Sequence, residues 1–243
     1  MQRALAVAFA AISGVLIAGS AGASPSQEDQ ADAILAGAKA VTGGAAWDRI
    51  SGWHERGTID RDGGHIRYET WLDIHRPGMI SQVSRGGGRW QTRGFDGRTT
   101  WVIDDSNGAA ADQSEKAVRE ARQGDYFSLY GFFFPHRFAA KRAYVGARAT
   151  AVGTFDVVRV TPEGSGPMDL WVDRKTHQLS AVVDPDPAHP LIAFLGDFKP
   201  TDGVLLPYTV MQSGAAAAQV SVRHITAYDF NPVDQTRFAS PAP

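Results

Sequence analysis

The sequence predicts a mainly β protein of the α+β class, in which one antiparallel sheet has a helix packed on one face. Two observations carry this prediction. The hydrophobic period changes from 3.6 to 2 after residue 50, and turn residues separate the later strand-like runs at short intervals. Connections this short join antiparallel neighbours, because a parallel pair needs a crossover of about a dozen residues. About ten strands in one sheet must curl, split into two layers or close.

The N-terminal segment has the pattern of an export signal. A basic start precedes an apolar stretch over residues 4–18, and Ala21, Gly22 and Ala23 supply the small residues of a cleavage site. The stretch is shorter than the roughly twenty residues that cross a bilayer. We therefore predict a signal peptide over residues 1–23, a single domain over residues 24–243 and a periplasmic location.

The first element of the domain is a predicted helix. Ser26 and Asp29 have the spacing of a helix cap, and Gly43 with Gly44 ends the helix. One apolar stripe is formed by residues at helical spacing: Ala31, Ile34, Leu35, Ala38 and Val41. A short helical turn is predicted over residues 45–50.

The rest of the domain is predicted as strands with one interruption. Alternating residues predict a long strand over residues 66–75, and Asp96 with Gly97 is typical of a hairpin turn. Residues 112–122 predict a polar helix, which leads directly into an aromatic segment over residues 126–135. Further strands are predicted over residues 80–85, 89–95, 98–104, 155–162, 168–173, 178–184, 191–198, 204–211 and 220–230.

Composition and missing motifs exclude several classes of function. The 24 basic and 26 acidic residues nearly balance, whereas nucleic-acid binding needs clustered Lys and Arg, so we predict no nucleic-acid partner. The absence of cysteine excludes disulfides, thiolate metal sites and a cysteine nucleophile. The sequence contains no Gly-x-Ser-x-Gly elbow, nucleotide-binding loop or His-Glu-x-x-His pair. We therefore predict a protein that is not an enzyme, with no catalytic residue, metal or cofactor.

Histidine and aspartate residues leave one alternative open. His65 and His75 would lie about 33 Å apart in one strand and cannot share an ion. Asp184, Asp186 and His189 form a compact group that could hold a metal, although a rigid polar loop between two strands is the preferred interpretation. An envelope hydrolase or metal-dependent enzyme using such residues is therefore the alternative function.

Aromatic residues give the strongest indication of a binding site. Three consecutive phenylalanines precede Pro135, and successive strand residues point to opposite faces, so no single strand face can bury all three. They either cover an apolar cavity or plug an ordinary core. Four tryptophans fall on predicted strands, where they are core residues or line the inner face of a curled sheet. The predicted ligand-binding residues are Trp71, Trp90, Trp101, Phe132, Phe133, Phe134 and Trp171.

Several short strings occur in an order that resembles a known family. They are the helix ending at Gly43, residues 53–59, FDGRTTW at 95–101, LWVD at 170–173, DGVLLP at 202–207 and FNP at 230–232. Together they resemble the outer-membrane lipoprotein-sorting (LolA/LolB-like) superfamily. The same module is similar to the N-terminal part of some bacterial aspartyl-protease-like proteins, although neither Asp-Thr-Gly nor Asp-Ser-Gly occurs in this chain.

The resemblance implies a strongly curled antiparallel sheet that forms an incomplete β-barrel, covered by the N-terminal helix and a central helix or lid. It also implies a soluble periplasmic carrier whose hydrophobic ligand is an acyl chain, a lipid or a lipoprotein, with an envelope protein as a possible partner. The missing cysteine separates the chain from membrane-anchored relatives. A non-catalytic structural protein that offers its sheet edges to a partner is the second alternative.

Overall fold

A computed structural model describes residues 25–105, 108–186, 191–213 and 220–239. The predicted signal peptide and His189, of the predicted Asp and His group, lie outside these ranges. Helix α1 spans Gln27–Val41 and α2 spans Glu115–Ser128, and short 3₁₀ turns cover Gly44–Arg49, Gly131–Phe133 and Gln235–Phe238.

Within the described residues, thirteen strands form one sheet. They are β1 (Trp53–Arg61), β2 (Gly64–Leu72), β3 (Met79–Gly86), β4 (Arg89–Phe95), β5 (Thr100–Asp104), β6 (Gly108–Asp112), β7 (Ala140–Thr150), β8 (Gly153–Pro162), β9 (Met168–Asp173), β10 (Leu179–Val183), β11 (Ile192–Thr201), β12 (Val204–Ser213) and β13 (Val220–Asp229).

The strand order is a meander that begins and ends in the middle of the sheet. Strands run outward from β1 to β6 on one side and inward from β7 to β13 on the other, and β13 pairs antiparallel with β1. Strands β6 and β7 are the two edges, and α2 carries the chain from one to the other. The sheet is therefore antiparallel and open, which confirms the predicted fold class.

Helix α1 begins where the sequence predicts. The Asp29 amide donates to Ser26 Oγ at 3.1 Å and the Ser26 amide donates to Asp29 Oδ2 at 3.2 Å, which forms a capping box. The helix buries Ala31, Leu35 and Ala38 and packs against β7 and β8. Its apolar stripe thus covers one part of the inner face of the sheet.

One predicted strand and the predicted central helix have boundaries that differ from the observed ones for physical reasons visible in the structure. The strand predicted over residues 66–75 ends at Leu72, because Asp73 Oδ1 accepts the His75 amide at 2.9 Å and turns the chain. The helix predicted over residues 112–122 begins after Ser114, whose Oγ accepts the Ala117 amide at 3.2 Å. It then continues to Ser128.

Buried residues form a main core and a smaller one on opposite faces of the sheet. The main core lies on the inner face, beneath α1, the first 3₁₀ turn and the aromatic segment. The smaller core lies on the outer face and joins Ile80 and Trp101 to Phe238 of the C-terminal segment. The inner face is therefore the one covered by helices.

Candidate ligand cavity

A cavity of about 250 Å³ lies between α2 and the inner face of the sheet. Its wall is mainly apolar. The residues that form the apolar wall are Met168, Leu179, Val182, Leu191, Ala193, Leu195, Pro207, Val210 and Ile225, and Phe127 closes it from α2.

The register of β10, β11 and β12 places three of the lining residues side by side. Ala193 of β11 lies opposite Val182 of β10 on one side and opposite Gln212 of β12 on the other. Directly opposed residues of neighbouring strands share a face, so all three line the cavity. The next residue, Phe194, points the other way and is 36% exposed on the outer face.

One end of the cavity is aromatic. The Trp53 ring centroid lies 6.0 Å from that of Tyr130 and 5.6 Å from that of Tyr228, and all three residues line the cavity. Burial raises the pKa of both tyrosines, and Tyr228 donates its hydroxyl to the carbonyl oxygen of Pro207 at 2.6 Å. These phenols are therefore neutral at physiological pH and add apolar surface to the cavity.

A charge pair interrupts the apolar wall. Arg223 Nη1 donates to Glu55 Oε1 at 3.0 Å, and the Tyr68 hydroxyl donates to the same oxygen at 3.2 Å. Burial alone would lower the pKa of Arg223, but the Glu55 carboxylate and neighbouring tyrosines hold it above the ordinary value. The cavity thus contains a charged guanidinium beside a carboxylate.

Helix α2 covers the cavity by joining two parts of the sheet. On one side, Arg122 Nη2 donates to the carbonyl oxygen of Gly97 at 2.8 Å, in the turn between β4 and β5. On the other side, Gln123 Nε2 donates to the carbonyl oxygen of Pro167, just before β9, at 3.3 Å. The helix therefore spans the opening of the curled sheet.

The three predicted phenylalanines lie together in the main core. Phe132, Phe133 and Phe134 are buried, and the Phe133 ring packs against Trp47 with centroids 5.0 Å apart. They border a second, more open cavity of about 610 Å³ beside α1. Within the aromatic segment, Phe127, Ser128 and Tyr130 line the 250 Å³ cavity, and the Phe132 ring packs against Tyr130 with centroids 5.5 Å apart.

The four predicted tryptophans lie on the outer face. Trp71 stacks on the His54 ring with centroids 4.5 Å apart, and the Trp101 ring lies over Gly94. Cations cover the other two: Arg67 lies 5.6 Å from the Trp90 ring centroid and Arg148 lies 5.0 Å from that of Trp171. None of the seven predicted aromatic residues is among the described residues that line the 250 Å³ cavity, and their role as ligand contacts stays a prediction.

Sequence reasoning missed Trp53, Glu55 and Arg223. Trp53 and Glu55 fall within residues 53–59, one of the strings that carry the family resemblance, and their alternation is the signal that could have placed them together on one face. Arg223 has no such signal. It is 168 residues from Glu55 and meets it because β13 pairs with β1.

Within the described ranges, no group of three or more His, Asp or Glu side chains could hold a metal ion. No helix of the described residues is long and apolar enough to cross a membrane.

Solved structures share this architecture. The structure aligns with a LolA superfamily protein, NE2245 from Nitrosomonas europaea, with a TM-score of 0.61 and 13% identity, over 86% of this chain and 97% of that one. The protein has a LolA-like fold. An outer membrane lipoprotein-sorting protein domain from Vibrio parahaemolyticus aligns with a TM-score of 0.57 and 11% identity, over 87% of this chain and 97% of that chain.

A third structure extends the LolA-like fold to a differently named family. A DUF1329 family protein from Desulfovibrio piger aligns with a TM-score of 0.59 and 12% identity, covering 88% of this chain and 98% of that one. No family model matches the sequence, and no curated protein matches it. The resemblance to aspartyl-protease-like modules has no counterpart in these three structures and stays a prediction.

Proposed function

We propose that the protein is a soluble periplasmic binding protein that carries the acyl chain of a lipid or lipoprotein in the Gram-negative envelope. The observation that carries this proposal is the apolar cavity between α2 and the inner face of the sheet. Burial of one methylene group contributes about 0.8 kcal/mol, so several methylenes can hold a chain in an apolar wall without a specific polar contact.

The size of the cavity limits the ligand. Its volume of about 250 Å³ is just below the roughly 300–1,000 Å³ that is typical of small-molecule sites. One acyl chain is therefore the ligand that suits a cavity of this size. A larger ligand would require α2 to move, and the side-chain hydrogen bonds described for Arg122 and Gln123 could break without disturbing the sheet.

The cavity favours a binding role over the two alternatives. A purely structural protein needs no cavity lined by apolar side chains. For an enzyme, we would expect perturbed carboxylates in the cleft. The carboxyl group with a strongly raised pKa, Asp125, is not among the residues that line the cavity. The lipoprotein-sorting domain from Vibrio parahaemolyticus has this fold, which supports an envelope role.

A substitution that fills the cavity with a larger side chain, placed on a strand of the sheet, tests the proposal. Ala193→Phe places a larger side chain among Val182, Gln212 and α2, and we expect it to weaken binding of the neutral probe N-phenyl-1-naphthylamine at least about tenfold. The probe's fluorescence rises on transfer to an apolar site, and displacement by dodecanoate reports acyl-chain binding.

The matched control is Ala147→Phe, which makes the same change at an exposed position of β7. It should bind the probe like the wild type. If the wild type binds no probe, or if both variants bind it equally well, the cavity is not the ligand site.

A further inference from the structure

We propose that the cavity selects amphiphiles with an anionic head group, carboxylate or phosphate, and that Arg223 binds that head group. This inference rests on the proposed function and specifies the chemical class of its ligand. It begins from the charged groups in the cavity wall, which are Arg223, Glu55 and Glu120.

The two strand residues differ in how far they face the cavity. The Arg223 side chain retains 35% of its surface exposed, whereas that of Glu55 retains 8%. A guanidinium carries five N–H donors, and the hydrogen bond to Glu55 uses one donor, on Nη1. Arg223 therefore presents further donors at the cavity surface, while the acceptor beneath it is largely buried.

The surroundings hold Arg223 in place. Its guanidinium carbon lies 5.0 Å from the centroid of the Tyr68 ring, and the Tyr68 hydroxyl anchors the same Glu55 oxygen that Arg223 contacts. A guanidinium fixed in this way loses little conformational freedom when it binds a planar or tetrahedral anion. Arg223, held by Glu55 and Tyr68, is therefore preorganised to bind an anion.

The third charged group does not cancel this contact. Glu120 lies on α2 with 62% of its side chain exposed, and its Oε1 is 3.9 Å from Lys116 Nζ. Water and the lysine screen its charge. The net preference of the cavity is therefore set by Arg223 and Glu55.

The strand register places apolar residues beside Arg223, where they can contact the acyl chain attached to an anionic head group. Arg223 of β13 lies opposite Val210 of β12, and Val210 lies opposite Leu195 of β11. An anion on Arg223 therefore places its chain across the apolar wall formed by these strands.

The experiment compares three ligands with one chain length: dodecanoate, dodecyl phosphate and 1-dodecanol. Each displaces N-phenyl-1-naphthylamine from the wild type, Glu55→Gln and the double variant Glu55→Gln/Arg223→Gln. The double variant is used because removing Arg223 by itself would leave a buried carboxylate unpaired and destabilise the protein. Arg148→Gln, which removes a guanidinium from the outer face, is the control.

We expect the wild type and Arg148→Gln to bind at least one of the two anions about tenfold more tightly than dodecanol, the gain of a charge-assisted hydrogen bond. Glu55→Gln should increase this preference, because it removes the carboxylate that competes for Arg223. The double variant should bind the two anions no more tightly than dodecanol. The ligand that is preferred shows whether the head is a carboxylate or a phosphate.

Equal binding of all three ligands by the wild type, or a preference that persists in the double variant, would overturn this inference and leave acyl-chain binding intact. If none of the three displaces the probe, the proposed function itself fails.

Discussion

Asp125 is a buried carboxyl group in the last turn of α2. Its Oδ2 accepts the Gly78 amide at 3.2 Å, and its Oδ1 is buried without a hydrogen-bond partner in the described part of the chain. Burial raises its pKa to about 8, and the nearby Asp73 carboxylate adds to this, while the Gly78 hydrogen bond and Arg122 act in the opposite direction. Asp125 is therefore mainly protonated at neutral pH.

This carboxyl group makes stability depend on pH. The pKa is about 8 in the folded protein against 3.8 for an ordinary Asp, so the folded state binds the extra proton. The stabilisation is complete below about pH 4 and is lost as pH rises through 8. We predict that Asp125→Asn, which cannot ionise, reduces the loss of unfolding free energy between about pH 5 and pH 9. Urea unfolding measures this, and an unchanged pH slope in the variant would refute it.

Because Gly94 has no side chain, the Trp101 ring can pack directly over it on the outer face. A Cβ atom at Gly94 would lie 2.0 Å from Trp101 Cε2, and Trp101 cannot swing away freely because it is packed against Ile80 and Phe238. We predict that Gly94→Ala lowers the free energy of unfolding by about 1–3 kcal/mol.

The control for that substitution is Gly37→Ala in α1, where a Cβ atom meets nothing within 4 Å. Alanine there should stabilise the protein by about 0.5–1 kcal/mol, because glycine is unfavourable within a helix. Denaturant unfolding of both variants compares them directly. Equal stabilities would show that the ring does not pack on Gly94.

At the scale of elements, prediction from the sequence succeeded where a segment buries one face. Helix α1 was predicted from its cap and apolar stripe, and most inner strands were predicted from alternation or from apolar runs between turns. Strands β6 and β7 were missed. Residues 108–112 read GAAAD and all are exposed, while β7 is exposed along most of its length, so neither carries an alternating apolar pattern. Both are edge strands held by pairing on one side.

Edge position and exposure predict that β6 is the least stable strand. Its five residues are exposed, and it pairs with β5 and with no other strand in the described ranges. Amide hydrogen exchange should therefore be fastest in β6 and slowest in β1 and β2, which are paired on both sides and buried in part. Protection of β6 equal to that of β2 would contradict this expectation.

At the scale of the whole molecule, the cavity could not be located from the sequence. Its wall combines β1 with β9 to β13, and this depends on the pairing of β13 with β1 across more than 150 residues of chain. Sequence composition identified the aromatic residues, but their faces depend on register, since a shift of one residue exchanges the two faces of a strand. Trp53 is therefore on the inner face, while Trp71, its near neighbour in β2, is on the outer face.

The open meander explains how one sheet can both form a core and leave space for a ligand. Helix α1 and the aromatic segment fill one part of the inner face, and α2 spans the remaining part without filling it. The aromatic end of the cavity and the apolar strands beside it then form a continuous surface for a chain. Under the proposed function, an acyl chain bound in the cavity would complete the inner core of the molecule.

The central claim is that this cavity holds one acyl chain. Native mass spectrometry of the full chain, expressed with its N-terminal segment in a Gram-negative bacterium and purified from the envelope, tests it most directly. We predict that the wild type carries or takes up one equivalent of dodecanoate after delipidation, that Ala147→Phe does the same, and that Ala193→Phe does not. A delipidated wild type that takes up no acyl ligand, or an Ala193→Phe variant that takes it up equally well, would contradict the account.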